Sequence, residues 1–324
     1  MNQVFEFQSL INRIISEQNF RKQPERLYAP IEYVMSQDGK RLRPTLTLLA
    51  CDLFDGNVND SIFPALAVEI FHNFTLVHDD IMDKAPIRRG LDTVYKKWNS
   101  DIAILSGDTM FAMAYQYAVK TNPSHIAAVL DVFSKTAIEV CEGQQLDMDF
   151  ELRDDVTIDE YIRMITLKTA VLLGASLKIG GLIAGADEKA VNEIYQFGVN
   201  LGIAFQLQDD LLDAYGREET FGKKNGGDIV ANKKTFLYLK AIEKANLQQQ
   251  NKLTALFQST SILAEEKISG VISVYDELNI QKETELAMAD YYSKSFGHLS
   301  KAGGNHSKAE VLKQFAEGLY RRNK

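Results

Sequence analysis

The sequence contains few cysteines, which could form disulfides, and few prolines, which interrupt helices. Its 324 residues include only two cysteines and six prolines. Cys51 and Cys141 have no spacing partner for a metal site, so we expect small buried thiols in a reducing compartment and no disulfide. The prolines are few and scattered, and helical periodicity recurs in most windows. This pattern favours α-helices over most of the chain.

Basic surface charge and targeting signals are lacking as well. The formal net charge of −8 argues against general nucleic-acid binding. Residues 1–20 lack the basic start and apolar core of a secretory signal, so a cytoplasmic protein is expected. The apolar run at residues 171–186 contains Lys178 and is too short to cross a bilayer. We therefore expect no integral membrane segment.

Long apolar stretches with helical spacing are what the chain does have. Residues 63–77 and 102–119 are nearly continuous apolar runs, as in helices that are buried on most sides. The length would allow two domains, but the composition leads us to predict a single all-helical domain over residues 1–324. Ser307 with Glu310 predicts a capping box and a last helix from residue 308 to about 321.

Two short acidic clusters of the same form are the most informative feature. They are residues 79–83 (DDIMD), followed by Pro86, and residues 209–213 (DDLLD), followed by Gly216. Proline and glycine commonly follow helix ends, so each cluster is predicted near a helix C-terminus. One such cluster alone is more often a solvated helix face. Two copies, each preceded by an apolar run, favour a functional site.

The spacing of the carboxylates indicates a cation. Asp79 and Asp83 are four positions apart, as are Asp209 and Asp213, so each pair projects from one helix face. Carboxylates at the negative end of a helix dipole repel one another unless a cation neutralises them. Oxygen ligands favour magnesium, with manganese as a substitute, and magnesium is commonly shared with substrate phosphates. A diphosphate substrate is therefore expected.

Basic residues are concentrated near these motifs in an otherwise acidic chain. Each basic cluster alone could be a solvated loop, but opposite charges in neighbouring segments suggest a phosphate that both contact. His72 lies about two turns before Asp79 on the same predicted face, whereas His78 faces elsewhere and is interpreted as structural. The clusters are Lys40, Arg41 and Arg43; Arg88 and Arg89; Lys168; Lys223 and Lys224; and Lys233 and Lys234.

Taken together, these motifs resemble those of the trans-isoprenyl diphosphate synthases, the polyprenyl synthetase family, short-chain type. The resemblance implies an isoprenoid synthase fold with helices surrounding a central cavity, a homodimer, and two Asp motifs facing each other across the cavity mouth. The matching segments occur in family order: Gly39-Lys40-x-x-Arg43-Pro44, His72 to Asp83, Arg88-Arg89-Gly90, Gly107-Asp108, Gly143-Gln144-x-x-Asp147, Lys168-Thr169, Phe205-Gln206, Asp209 to Asp213, Gly222-Lys223 and Lys233.

The resemblance also assigns metal ligands and catalytic residues. Asp79, Asp83 and Asp209 would bind magnesium on an allylic diphosphate, with Asp80 and Asp213 in support. About three magnesium ions per active site are implied, and manganese could replace them. Lys168 and Arg88 complete the implied catalytic set.

Substrate-binding residues follow from the same resemblance. One implied group holds the allylic diphosphate, and a second holds isopentenyl diphosphate. The basic residues Arg321 and Arg322 would close over the isopentenyl site. The first group is Arg88, Lys168, Lys223 and Lys233, joined by Thr169 and Gln206; the second is Lys40, Arg43, His72 and Arg89.

The implied reaction needs no protein nucleophile. Diphosphate leaves, an allylic cation forms, isopentenyl diphosphate attacks it, and the departed diphosphate is the implied base. Phe74, five residues before Asp79, is either a core residue or a gate that stops the growing chain. A gate predicts a geranylgeranyl product, with farnesyl or longer products as alternatives. Asp92 and Tyr95 depart from the usual family pattern, which leaves the shape of that loop open.

Three other readings are less favoured. A class I terpene cyclase would carry an Asn/Ser/Glu second metal motif, whereas here that motif is all aspartate. An oxidative di-metal bundle would need two Glu-x-x-His motifs, and only Glu69 to His72 fits. A catalytically silent regulatory subunit would be expected to have lost a metal aspartate or part of the basic set, and both are present.

Overall fold

The computed structural model describes residues 2–216, 226–259 and 261–320, and this part of the chain is almost entirely helical. The predicted all-α class is confirmed. A 3₁₀ turn at Pro123–His125 precedes α7, and a π-helical turn at Thr166–Ala170 joins α8 to α9. The α-helices are α1 Asn2–Glu17, α2 Glu25–Met35, α3 Leu42–Leu53, α4 Val58–Met82, α5 Val94–Lys97, α6 Ser100–Ala118, α7 Ile126–Glu151, α8 Ile158–Ile165, α9 Val171–Ile183, α10 Glu188–Tyr215, α11 Gly227–Val230, α12 Phe236–Lys244, α13 Leu247–Gln258, α14 Ala264–Glu277, α15 Ile280–Ala302 and α16 His306–Tyr320.

A small antiparallel hairpin interrupts the helices. Strands β1 (Ile87–Arg88) and β2 (Leu91–Asp92) pair so that Arg88 lies opposite Leu91. Arg89 and Gly90 form the two-residue turn with φ angles of 53° and 78°. A tight hairpin turn of this kind needs positive φ at both positions, which glycine adopts without a side-chain clash. The loop that contains Asp92, whose shape the sequence left open, is therefore part of a hairpin. The Tyr33 hydroxyl donates a hydrogen bond to the Asp92 carbonyl at 2.9 Å.

Internal contacts divide the chain into two units, which are described separately. Unit 1 comprises Met1–Lys135, Ala175–Tyr195 and Leu299–Phe315. Unit 2 comprises Thr136–Gly174, Gln196–His298 and Ala316–Lys324. That residues 1–324 act as one domain stays a prediction.

Helix α4 is the centre of unit 1. It packs against α3 and α6, and its Leu66, Ile70 and Phe71 are almost fully buried. Because α4 is apolar around most of its circumference, it is buried on several sides, as the apolar run at residues 63–77 predicted. The first acidic motif lies at the exposed end of this helix.

One cysteine does not lie where the sequence suggested. Cys51 is buried as expected, but Cys141 is exposed. It shares the exposed face of α7 with Ile138 and Gln145, about one helical turn to either side, and the adjacent Glu142 is exposed as well. The expectation of two buried thiols was therefore wrong for Cys141.

The predicted start of the last helix was also wrong. The residue that caps this helix is Asn305 and not Ser307. Its side-chain oxygen accepts a hydrogen bond from the backbone N–H of Ser307 at 3.1 Å. Helix α16 begins at His306, since asparagine is an effective N-cap. Arg321 and Arg322 lie outside the described residues.

One helical stretch among the described residues is long and apolar enough to cross a membrane. It runs from Ile158 to Ile183, and 67% of its most apolar window is buried inside the protein. Core helices of soluble proteins pass the same test, so this stretch is weak evidence for a membrane span.

Candidate active site

The first acidic motif lies at the C-terminus of α4. Asp83 is the C-cap, and its N–H donates to the Asp79 carbonyl at 2.8 Å. The Asp79 side chain is partly exposed and Asp83 is exposed. Two carboxylates separated by one helical turn therefore meet solvent at the negative end of a long helix, as the spacing predicted.

Arg88 in β1 turns back onto this motif. Its guanidinium lies 2.7 Å from an Asp80 oxygen and 3.3 Å from an Asp79 oxygen. Asp80 is buried, and burial raises the pKa of its carboxyl while Arg88 opposes the rise. The structure thus brings Arg88 and the motif together, with Asp80 facing the arginine rather than solvent.

A cationic cluster surrounds His72 in unit 1. Arg43 Nη1 lies 3.2 Å from His72 Nε2, and Arg89 donates to the Asp38 carbonyl at 3.2 Å, beside Lys40 in the same loop. Burial first, then the charges of Arg43 and other arginines, hold the pKa of His72 well below its usual range. A neutral imidazole accepts a hydrogen bond from Arg43, so positive charge is concentrated here without a histidinium.

Arg41, in the same basic segment, has a different role. Its side chain is almost fully buried and pairs with the buried Glu69 at 2.7 Å. It also donates to the Asn12 side chain and to the Gln37 carbonyl at 2.7 Å. Arg41 therefore fixes the loop before Lys40 to α4 instead of presenting its charge to a substrate.

Arg41→Ala is expected to lower the free energy of unfolding by about 3–5 kcal/mol, because Glu69 would be left as an uncompensated buried charge. Urea denaturation measures the change. Arg13→Ala is the control, since Arg13 pairs with Glu17 on the surface of α1 and contributes little. Equal, small losses in both variants would contradict a structural role for Arg41.

The second acidic motif occupies the C-terminal part of α10. Asp209 is exposed, whereas an Asp213 carboxylate oxygen accepts the N–H of Asp228 at 2.9 Å. The Asp213 carbonyl accepts the N–H of Gly226 at 2.7 Å. The described part of the chain resumes at Gly226, and these two hydrogen bonds fix residues 226–228 against the second acidic motif. Lys223, predicted to bind substrate, lies outside the described residues.

A pocket that is open to solvent lies within unit 2, and its volume, with the solvent-open part included, is about 590 Å³. It contains four residues predicted from the sequence, namely Lys168, Thr169, Gln206 and Lys233. Of the other polar lining residues, the sequence analysis had included Lys234 in a basic cluster and Asp210 in the second acidic motif, but it had given no role to Asp147, Tyr161 or Asp228. The complete lining is Asp147, Phe150, Glu151, Tyr161, Met164, Ile165, Lys168, Thr169, Gln206, Asp210, Asp228, Lys233, Lys234 and Thr235.

Lys168 enters the pocket from the π-helical turn at Thr166–Ala170. Its ammonium lies 2.6 Å from an Asp147 oxygen on α7. The close approach of the two helices depends on Gly143, because a Cβ there would lie only 2.2 Å from the Lys168 backbone nitrogen. A π turn widens the helix locally, and such turns are frequent at functional sites.

Asp210 is the centre of a buried polar network in this pocket. It accepts hydrogen bonds from the Tyr161 hydroxyl and, at 3.1 Å, from the Gln206 amide. Gln206 in turn accepts from the Thr169 hydroxyl at 3.3 Å. Burial raises the pKa of the Asp210 carboxyl to about 7. The i, i+4 spacing selected Asp209 and Asp213, and the burial of Asp210 is visible only in the structure.

The network predicts different effects at the two adjacent aspartates. Asp210→Asn should reduce turnover less than about tenfold and leave the magnesium requirement unchanged, because asparagine preserves the shape and most hydrogen bonds. Asp209→Asn should reduce turnover far more and raise the magnesium concentration for half activity. Magnesium titrations of both variants test this. Equal shifts of the magnesium requirement would make Asp210 a metal ligand instead.

The residues fit magnesium if a substrate supplies further oxygens. Among the residues that the structure describes, no three His, Cys, Asp or Glu side chains form a metal cage. Each motif instead presents a pair of carboxylates, which is the usual protein contribution when magnesium is shared with phosphates and water.

The fold and the site define a class of all-helical proteins in which paired aspartates lie near the ends of two helices and basic residues cluster beside them. Comparison with known proteins agrees. The polyprenyl synthetase family model matches residues 24–274. The geranylgeranyl diphosphate synthase of Methanosarcina mazei is 44% identical over 223 residues, 68% of this chain and 69% of that protein.

Two further relatives support the assignment. The geranylfarnesyl diphosphate synthase of Natronomonas pharaonis is 40% identical over 256 residues, 74% of this chain and 75% of that protein. A crystal structure of a geranylgeranyl pyrophosphate synthase superposes with a TM-score of 0.95 at 42% identity, covering 100% of both chains. The chain belongs to the polyprenyl synthetase family. The predicted family and isoprenoid synthase fold are confirmed.

Proposed function

We propose that this prenyltransferase condenses isopentenyl diphosphate with allylic diphosphates to form geranylgeranyl diphosphate. The observation that carries the proposal is the pocket in unit 2, where Lys168, Thr169, Gln206 and Lys233 converge. Two ammonium groups and two neutral hydrogen-bonding side chains suit the oxygens of a diphosphate. The geranylgeranyl diphosphate synthases among its relatives support this product class.

In the proposed mechanism, Asp79, Asp83 and Asp209 would hold magnesium with the allylic diphosphate. Magnesium held there would supply positive charge to the departing diphosphate. Lys168, kept in place by Asp147, and Lys233 contact the remaining oxygens. Preorganised charges of this kind stabilise a leaving group without a reorganisation cost during the reaction.

The apolar part of the pocket keeps water from the allylic cation. Phe150, Met164 and Ile165 line the pocket beside the basic residues. Water excluded from such a site cannot capture the cation before the isopentenyl double bond does. Arg43, His72, Arg89 and Lys40 are proposed to hold isopentenyl diphosphate, because they gather positive charge in one region of unit 1.

Phe74 is proposed as the residue that limits chain length. It is largely buried on α4, and its ring contacts Phe111 on α6 with centroids 5.2 Å apart. It also packs edge to face against His78, the residue directly before the first motif. A bulky ring at this depth below Asp79 and Asp83 suits a stop for a growing chain.

Phe74→Ala should shift the product toward longer prenyl diphosphates, since truncation removes the obstructing ring. Mass spectrometry of the extracted products measures the distribution. Phe71→Ala is the matched control, because Phe71 is fully buried in the same aromatic cluster and should affect stability alone. An unchanged product distribution in folded Phe74→Ala protein would reduce Phe74 to a core residue.

Magnesium-dependent release of inorganic diphosphate tests the proposed function. Metal-depleted protein is mixed with isopentenyl diphosphate and farnesyl diphosphate, and magnesium is then added. Turnover should start only on magnesium addition and require both substrates. Release that does not require isopentenyl diphosphate would favour a cyclase-like activity. Release only with geranyl in place of farnesyl diphosphate would favour a farnesyl product, and no release with either primer would favour a silent regulatory subunit.

We also propose a homodimer in the cytoplasm. Exposed apolar side chains on α6, including Ile104 and Leu105, suit an interface with a second copy. Sedimentation of the purified chain distinguishes a dimer from a monomer.

A further inference from the structure

A buried lysine outside the pocket stands out in unit 2. Lys267 on α14 is only 4% exposed. Among the described residues no carboxylate pairs with it. Its ammonium donates to the Asn232 side-chain oxygen and lies 5.3 Å from the centroid of the Phe257 ring. Burial lowers its pKa. Burying an ammonium without a counter-charge costs free energy of folding. This cost suggests that a particular feature of the fold depends on Lys267.

That feature is the turn that carries Lys233. Asn232 has a positive φ of 58° and directly follows Ala231, the C-cap of helix α11. The Lys233 N–H donates to the Asp228 carbonyl at 2.9 Å, and the Asn232 N–H donates to the Ile229 carbonyl at 3.2 Å. This is the hydrogen-bond pattern of a left-handed helix cap, and the conformation of Asn232 sets the direction in which Lys233 leaves the helix.

The other side of Lys233 is fixed as well. Lys234 is nearly buried and donates to the Phe150 carbonyl at 3.0 Å, near the C-terminus of α7. Its positive charge is favourable at that negative helix end. Lys233 therefore lies between two anchored residues, Asn232 and Lys234, and lines the pocket.

We propose that Lys267 is a positioning residue: by holding the Asn232 side chain it fixes the left-handed turn that directs Lys233 at the allylic diphosphate. This inference rests on the proposed function. Lys267 itself does not line the pocket, so its effect on the substrate passes through Asn232 and Lys233. The consequence is a specific dependence of allylic diphosphate binding on a distant lysine.

Lys267→Met preserves the length of the side chain and removes its charge. We expect the KM for the allylic diphosphate to rise roughly tenfold, because the substrate loses the equivalent of one hydrogen bond to a charged group. The KM for isopentenyl diphosphate should not change. Lys233→Ala should act in the same way. The double variant should be no worse than Lys233→Ala alone, because both changes remove one interaction.

Calorimetric binding of inorganic diphosphate with magnesium gives a readout that does not need turnover, so it separates failure of this proposal from failure of the proposed function. Asn232→Gly keeps the positive φ but removes the acceptor, and should weaken binding like Lys267→Met. Asn232→Asp keeps an acceptor and should retain binding. Lys294→Met, which removes an exposed lysine paired with Asp290, is the control.

Two results would overturn the proposal. One is unchanged diphosphate binding in both Lys267→Met and Asn232→Gly. The other is an additive loss in the Lys233→Ala, Lys267→Met double variant, which would place the effect of Lys267 elsewhere. If Lys267→Met does not fold, Asn232→Gly alone decides, because it leaves the buried ammonium in place.

Discussion

Asp79→Ala should abolish nearly all turnover, with a loss on the order of 10³-fold or more, because it removes charge stabilisation of the leaving diphosphate. The fold should survive. Asp79 is partly exposed, and its loss relieves repulsion at the negative end of α4. Steady-state kinetics at saturating magnesium, together with thermal unfolding, measures both effects.

The matched control is Asp131→Asn, which neutralises an exposed aspartate on α7 that belongs to neither acidic motif in the sequence. Its kinetics should equal those of the unmodified protein. If Asp79→Ala retained more than about a tenth of the turnover, the first motif would not be the metal-binding element that the mechanism requires.

Gly143→Ala should reduce turnover about a hundredfold, since displacing a catalytic group by about an ångström has effects of this size. The new methyl group would lie 2.2 Å from the Lys168 nitrogen and 2.6 Å from its Cα. Backbone atoms cannot rotate away, so α7 and the π turn must separate and carry Lys168 away from its place in the pocket.

Gly297→Ala provides the comparison for Gly143→Ala. Gly297 lies within α15, and apart from the neighbouring residues and backbone of its own helix no described atom lies within 4 Å of a Cβ built there. Alanine should stabilise this helix by about 0.5–1 kcal/mol without changing kinetics. Normal turnover of Gly143→Ala would mean that the approach of α7 to Lys168 is not needed for activity.

The sequence predicted the positions of the acidic motifs well, for a physical reason. An i, i+4 spacing on a helix determines which side chains share a face, and the following Pro86 and Gly216 mark the helix ends. Both inferences need only local geometry. The placement of Asp79 and Asp83 at the end of α4 therefore agrees with the sequence analysis.

The sequence could not separate binding residues from structural ones within a basic cluster. Arg41 and Arg43 are two positions apart, yet Arg41 is buried against Glu69 while Arg43 contacts His72. Lys233 and Lys234 both line the pocket, and the Lys234 side chain also donates to the Phe150 carbonyl. These distinctions depend on which other helices pack nearby, and that information is long-range in the chain.

Polar networks were missed for the same reason. Tyr161 and Asp210 are distant in sequence and meet only because α8 and α10 contribute to one pocket. In the sequence, Lys267 has the pattern of an ordinary lysine in an amphipathic helix. Only its burial and its hydrogen bond to Asn232 in the structure distinguish it from a surface lysine. No local pattern signals such contacts.

The central claim is tested most directly by the products of the unmodified protein. Purified chain is incubated with magnesium, isopentenyl diphosphate and, separately, dimethylallyl, geranyl or farnesyl diphosphate, and products are read by mass spectrometry. We predict elongation of the allylic primers that ends at geranylgeranyl diphosphate. No elongation of any primer by folded protein would contradict the account.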